Sequence, residues 1–161
     1  MKYISKYNSP IGTITMLSDG TNLTNLWIHG QPEVKDKFIE KYDLDVFDKT
    51  RNWLKEYFIG KEPQIKIPLK LEGTEFRKMV WNYLLQIPYG KTVTYKDIAI
   101  LVAKEKNIKR MSAQAIGGAV GHNPISIIVP CHRVIGTNGE LTGYAGGIHF
   151  KKELLKIEKI L

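Results

Sequence analysis

The sequence predicts an α+β protein in two parts, a strand-led first half and a mostly helical second half. Three observations carry this. Strand-length runs between turn signals fill the first 30 residues. Helical apolar patterns with capping residues dominate after residue 73. Charge also divides: residues 73–161 carry 13 Lys and Arg against six Asp and Glu, so they hold +7 of the net +8. At 161 residues the chain is long enough for one domain or two small ones. The expected division is 1–72 and 73–161.

In chain order, strands are expected near 2–7, 11–17 and 23–28, with turns at Ser9-Pro10 and Asp19-Gly20. Helices follow near 33–42 and 46–59. The second has Val46, Trp53, Leu54 and Tyr57-Phe58 as its apolar stripe and ends at Gly60. Residues 61–72, with Pro63 and Pro68, read as an extended connector. After the turn Pro88-Tyr89-Gly90, Thr94 is an N-cap with Asp97 three residues on, close to a capping box. Tyr95 then falls in the first helical turn. Met111 to Gly121 reads as a helix of small residues, approached through Lys104, Lys106, Lys109 and Arg110. The apolar run Ile125-Ser126-Ile127-Ile128-Val129 reads as a buried strand. Thr142-Gly143-Tyr144-Ala145-Gly146-Gly147 reads as a loop where backbone approaches something closely. The last helix is amphipathic, with Leu154, Leu155 and Ile157 inward.

Composition excludes several functions. One cysteine rules out an internal disulfide and a multi-cysteine zinc site. His29, His122, His132 and His149 lack metal-ligand spacing, so no metal is expected. No run approaches the ~18 apolar residues needed to span a membrane, and Met1-Lys2-Tyr3-Ile4-Ser5-Lys6 has no apolar signal core. A free thiol without an export signal suggests the reducing cytoplasm. The basic excess in one half suits a surface that meets phosphate.

The single cysteine stands in Pro130-Cys131-His132-Arg133-Val134. A lone cysteine beside an apolar run is more often a small core hydrophobe than a nucleophile. The adjacent imidazole, the small-residue helix behind its basic approach, and the glycine-rich loop argue otherwise. Neighbouring residues on a strand face opposite ways. Either the chain therefore turns after Pro130, or a water relays a proton between Cys131 and His132.

From Gly73-Thr74-Glu75-Phe76 and Val80-Trp81 onward, these segments resemble the O6-alkylguanine-DNA alkyltransferase family, in its order and near its spacing. The resemblance covers residues 73–161. It implies a ribonuclease-H-like α/β first domain that serves as a scaffold, and a winged helix-turn-helix-like second domain. The implied activity is DNA repair: the alkyl group of O6-alkylguanine, and of O4-alkylthymine, moves irreversibly to Cys131 after the base is flipped out. The product is a thioether, so one turnover per molecule is expected, with no cofactor.

Residue by residue, the resemblance implies that Glu158 hydrogen-bonds His132 in a relay from Cys131 through water. Tyr95 presses on the target phosphate and gives a proton toward guanine N3. Asn123 links the reading helix to the active-site segment. Val120, Val134, Tyr144, Ala145 and Gly146 wall the base pocket, with the Ala145 backbone N–H reaching guanine O6. The backbone carbonyls of Cys131 and Val134 could accept the exocyclic amine. Thr94, Arg110, Ala113, Gln114, Ala115 and Gly117 belong to the DNA-facing helix pair, which enters the minor groove of a duplex. Many relatives fill the gap left by the flipped base with an arginine; here Gln114 holds that position, with Arg110 one turn earlier. The expected state is a monomer, with cooperativity on DNA left open. A lesion-binding protein, a cysteine hydrolase and a nonspecific DNA-binding module are the alternatives.

Overall fold

Two strands joined by a tight turn open the chain: β1 (Lys2–Ser9) and β2 (Gly12–Ser18). Their antiparallel pairing runs from Tyr3 opposite Ser18 to Ser9 opposite Gly12, leaving Pro10 and Ile11 as the loop. Gly12 has φ of 122°, which side-chain-bearing residues rarely adopt. At the other end Asp19 closes the next turn, accepting from the backbone N–H groups of Thr21 and Asn22 at 2.9 and 2.7 Å. β3 (Leu23–Trp27) then pairs antiparallel with β2.

A computed structural model describes residues 1–28, 37–142, 144 and 146–161. Of the helix expected near 33–42, residues 33–36 lie outside the described residues, as does His29. Phe38–Glu40 instead form a strand, β4, parallel to β1, so the sheet order is β3-β2-β1-β4. Phe38 and Ile39 favour a pleated edge, and the open side of β1 supplies the hydrogen bonds that a short helix would have made internally.

The chain divides into two units, Met1–Glu72 with Pro124–Ser126, and Gly73–Asn123 with Ile127–Leu161. In the first, α1 (Asp45–Phe58) packs on β1 and β2. Its core is Ile14, Met16, Leu23, Leu26, Phe47 and Leu54, all fully buried. The connector is extended as expected, with Leu23 donating to Pro68 O at 2.8 Å and Lys70 donating back to Leu23 O at 3.0 Å. Pro124–Ser126 make the matching ladder on Leu26, at 2.9 and 3.0 Å.

The second unit contains α2 (Glu75–Leu84), α3 (Tyr95–Glu105), α4 (Ala113–Gly121) and α5 (Ile148–Ile157). Every start among the first three is capped by a hydroxyl: Thr74, Thr94 and Ser112 accept from Arg77, Asp97 and Ala115 backbone N–H. Thr94 and Asp97 form the complete reciprocal capping box. The Trp81 indole donates to Ala119 O at 2.8 Å and fixes α2 to α4. A short parallel pair, β5 (Val93–Thr94) with β6 (Val134–Ile135), joins Val93 to Val134. That pairing positions the site, since Tyr95 directly follows β5 and the cysteine segment directly precedes β6.

The strand expected over 125–129 is corrected. Only Ile125 makes a ladder bridge; Ser126 to Ile128 form a turn in which Ile127 has φ of 69°. Burial was the true signal, because Ile125, Ile127 and Val129 are fully buried. Left-handed backbone at a β-branched residue costs on the order of 1–3 kcal/mol and persists only where its surroundings enforce it.

Candidate active site

Cys131 is presented by two consecutive tight turns rather than by a strand end. Pro130 has φ −81° and ψ 64°, and the Cys131 N–H donates across it to Val129 O at 2.8 Å. This is an inverse γ-turn, which the fixed φ of proline favours. Cys131–Arg133 then form one turn of 3-10 helix, closed by Arg133 N–H to Pro130 O at 3.0 Å. The chain does turn after Pro130, which removes the strand objection to cooperation between Cys131 and His132.

The thiol is buried, and its surroundings pull in two directions. Desolvation dominates and pushes its pKa up to about 11. Hydrogen bonds from the Asn123 side chain and from the Cys131 and His132 backbone, with the Lys151 charge, favour the thiolate. Asn123 also donates to Val129 O at 2.9 Å, so one amide steadies both the turn and the sulfur. With the pKa raised, the resting sulfur at neutral pH is a thiol.

His132 is fully buried, and its Nε2 is hydrogen-bonded to Glu158 Oε2. Burial pushes the imidazole pKa below its usual value, against the pull of Glu158. A neutral imidazole is a base. Glu158 caps α5, is almost fully buried, and is held on its other oxygen by Arg133 Nε at 2.7 Å and Gly90 N–H at 3.1 Å. The carboxylate is thus compensated and aimed, as the orienting acid of a triad is.

Sequence reasoning missed two cations. Arg133 is buried and also donates to Ile87 O at 2.9 Å. Lys151, fully buried, donates from Nζ to Val134 O at 2.5 Å and Thr142 O at 2.9 Å. Burial pushes its pKa down to about 8. Its ammonium also sits 5.8 Å from the Tyr95 ring centre. The available signal was placement: Arg133 adjoins His132, and Lys151 precedes the buried Leu154 and Leu155 by one turn.

Tyr95 is half-buried, and its hydroxyl donates to Thr142 O at 2.7 Å. Burial raises its pKa. A Cβ built on Gly117 would stand 3.9 Å from its ring, so Tyr95 borders α4. Along α4, Ala113, Gln114 and Ala115 are exposed, and nothing lies within 4 Å of a Cβ built on Gly118. The protein interior therefore does not require that glycine, and its backbone stays approachable from outside.

Of the expected pocket residues, Val120, Val134 and Tyr144 are buried and Gly146 is half-buried. A Cβ on Gly146 would come 2.9 Å from the Tyr144 ring, which explains the glycine. Ala145 lies outside the described residues. Thr94 is half-buried, and Arg110 is exposed just before α4. Among the described residues, no group of three His, Cys, Asp or Glu could hold a metal ion. Nor is any helix among them long and apolar enough to cross a membrane.

Two units, the second helical and burying a hydrogen-bonded thiol, are the arrangement that the resemblance to the alkyltransferases implies. Two family descriptions match almost end to end: the ribonuclease-like domain of 6-O-methylguanine DNA methyltransferase over residues 2–71, and its DNA binding domain over 75–160. The methylated-DNA–protein-cysteine methyltransferase of Haemophilus influenzae is 41% identical, covering 98% of this chain and 87% of its own. That of Methanosarcina acetivorans is 43% identical, covering 97% of each. The Mycobacterium tuberculosis protein OGT, solved in complex with DNA, superposes with a TM-score of 0.85 at 42% identity, over 98% of this chain and 92% of that one. The chain belongs to the 6-O-methylguanine DNA methyltransferase family. Its activity is DNA repair by methyl transfer from DNA to a protein cysteine.

Proposed function

We propose that Cys131 is the acceptor, and that it acts once per molecule on O6-alkylguanine flipped from a duplex. The carrying observation is the buried set His132–Glu158–Arg133 beside a sole cysteine hydrogen-bonded by Asn123. His132 takes the thiol proton through a water, and Glu158 stabilises the imidazolium that forms. Sulfur attacks the alkyl carbon in line; the S–C bond forms as the C–O6 bond breaks. Tyr95 turns its hydroxyl from Thr142 O to guanine N3, so the departing base leaves neutral. The His132 imidazolium then gives its proton back through solvent to the Tyr95 phenolate, so the net proton passes from sulfur to guanine. A thioether cannot ionise, and no second cysteine exists to resolve it.

In this reading Val120, Val134, Tyr144, Ala145 and Gly146 wall the base pocket, and O4-alkylthymine enters the same way. The Val134 carbonyl already accepts from Lys151, which leaves one lone pair for an exocyclic amine. α4 enters the minor groove by its small residues Ala113, Ala115 and Gly117, and flipping costs a few kcal/mol, least for a mispaired base. Gln114 fills the gap. The protein acts as a monomer in the cytoplasm, with residues 1–72 as scaffold and 73–161 as the working domain.

Intact-protein mass spectrometry tests the reading, using duplex with one O6-methylguanine and Cys131→Ser alongside. The expected result is one methyl group per molecule, stopping at one equivalent and absent in the variant. Tighter binding of the lesion without mass gain would mean a lesion sensor. Gln114→Ala should slow transfer from duplex about tenfold while sparing single strand, as for a residue worth ~1.4 kcal/mol in flipping alone; equal slowing on both would remove it from that role.

A further inference from the structure

The chemistry above assigns no task to Arg133, yet its guanidinium is 91% buried beside the relay, with only 9% of its side chain exposed. Its contacts leave it little freedom. Nε donates to Glu158 Oε1 at 2.7 Å, and Nη1 donates to Ile87 O at 2.9 Å. The Tyr89 ring centre lies 5.7 Å from its central carbon. The Gly90 N–H donates to the same carboxylate oxygen at 3.1 Å, so segment 87–90 anchors the cation at one end and its partner at the other. Glu158 Oε2 is left for His132 Nε2. The carboxylate is thus shared between a permanent cation and an imidazole, all three buried. The charged groups acting on His132 are Glu158 and Lys151, from α5 and its cap, and Arg133 on its own turn, where Cys131 precedes it.

We propose that Arg133 is a positioning residue for methyl transfer, which occupies Glu158 and thereby holds His132 as a neutral base until a substrate arrives. The inference rests on the reading of His132 as the base that takes the Cys131 proton. Arginine stays protonated in proteins. It already matches the single negative charge of Glu158, so a proton on His132 would give the buried trio a net positive charge. Unbalanced charge is expensive where water is excluded. The imidazole therefore rests neutral. Burial, Arg133 and Lys151 all act in that direction, against Glu158. Without the Arg133 charge, Glu158 and His132 could hold one proton between them as a balanced pair. An imidazole that already carries a proton cannot accept one from sulfur. Lys151 does not replace Arg133 at the carboxylate, because its ammonium donates to Val134 O and Thr142 O. Glu158 still steadies the imidazolium formed during transfer, while Arg133 sets where the proton rests beforehand.

The test uses the full chain and two readouts: titration of the His132 imidazole by nitrogen NMR in the free protein, and the pH profile of single-turnover methyl transfer. In wild type the imidazole should titrate below the ordinary histidine value of about 6.5. In Arg133→Gln the midpoint should rise by at least about one pH unit, and the acid limb of the rate profile should rise with it. Transfer on that limb then falls about tenfold, while the alkaline rate stays within about threefold of wild type. Arg133→Lys keeps the charge and should hold both midpoints near those of wild type. A wild-type midpoint at or above the ordinary value overturns the proposal, even if neither variant folds. So does an Arg133→Gln protein whose rate falls equally at every pH with its midpoints unmoved, which is the behaviour of a merely structural brace. A wild type whose imidazole titrates low, but which gains no methyl group, would overturn the acceptor reading and leave the hold of Arg133 on His132 standing.

Discussion

The two units bury different kinds of polar group. In the first they are hydroxyls, Thr15, Ser18, Thr24, Thr50 and Ser126, several satisfied by a near neighbour: Thr50 donates to Val46 O at 2.7 Å, and Ser18 accepts from Gly20 at 2.9 Å. In the second they are Asn123, His132, Arg133, Lys151 and Glu158, four of them ionisable: Asn123 and Lys151 act on Cys131, and Glu158 links His132 to Arg133. A hydroxyl bonded one helical turn away costs little to bury. Charges cost several kcal/mol each in desolvation and are kept only when paired and hydrogen-bonded. The first unit buries what packing alone selects. The second carries strain and desolvated charge that packing alone would not select, which is what the proposed acceptor role of Cys131 calls for.

The largest expected effect comes from breaking the charged core at its centre. Glu158→Gln keeps the shape but turns an N–H toward His132 Nε2 and removes the charge opposite Arg133. The imidazole is driven into the other tautomer, and methyl transfer should fall at least 100-fold, in line with triads that lose their orienting acid. Stability should drop by about 3 kcal/mol, because a buried cation is left uncompensated. Single-turnover transfer and urea unfolding measure the two effects. Transfer within twofold of wild type would show that Glu158 is structural only.

How much of this core was legible depends on distance along the chain. Cys131 and His132 are adjacent, so a lone thiol beside an imidazole could be read directly. Thr94 and Asp97 sit at capping-box spacing, and that local code was correct to the residue. Glu158 lies 26 residues from His132 and looks like a surface charge at a helix end; only the resemblance singled it out. Lys151 and Arg133 are signalled only by their placement, since cations are usually exposed and the burial of these two is decided by acceptors distant in sequence. Ile125 to Val129 shows the opposite failure. Its β-branched composition speaks for a strand, and the surrounding packing overrides it with a turn at Ile127. The edge strand at Phe38–Glu40 was hidden because its partner, β1, lies over 30 residues away.

The next effect concerns the resting thiol. Burial raises its pKa to about 11, so at pH 7 it holds a few hundredfold less thiolate than an ordinary cysteine. Alkylation of the free protein by iodoacetamide follows the thiolate. The rate should rise about tenfold per pH unit from pH 7 to pH 9 without a plateau, because the titration midpoint lies above that window. As the chain has one cysteine, mass gain reports Cys131 alone. Saturation near pH 8.5 would mean an unperturbed thiol, and would place activation in the resting protein rather than in the DNA complex.

The smallest effect probes the neutral core. Thr50→Val removes one buried hydroxyl from the first unit and fills nearly the same volume. Its Val46 carbonyl partner keeps its place within α1, so no charge and no strained segment is exposed by the change. The cost should be about 1 kcal/mol or less in urea unfolding, with the single-turnover rate unaltered. A rate change exceeding threefold would mean that the first unit reaches into the chemistry, and the contrast between a scaffold core and a working core would then fail at its quieter end.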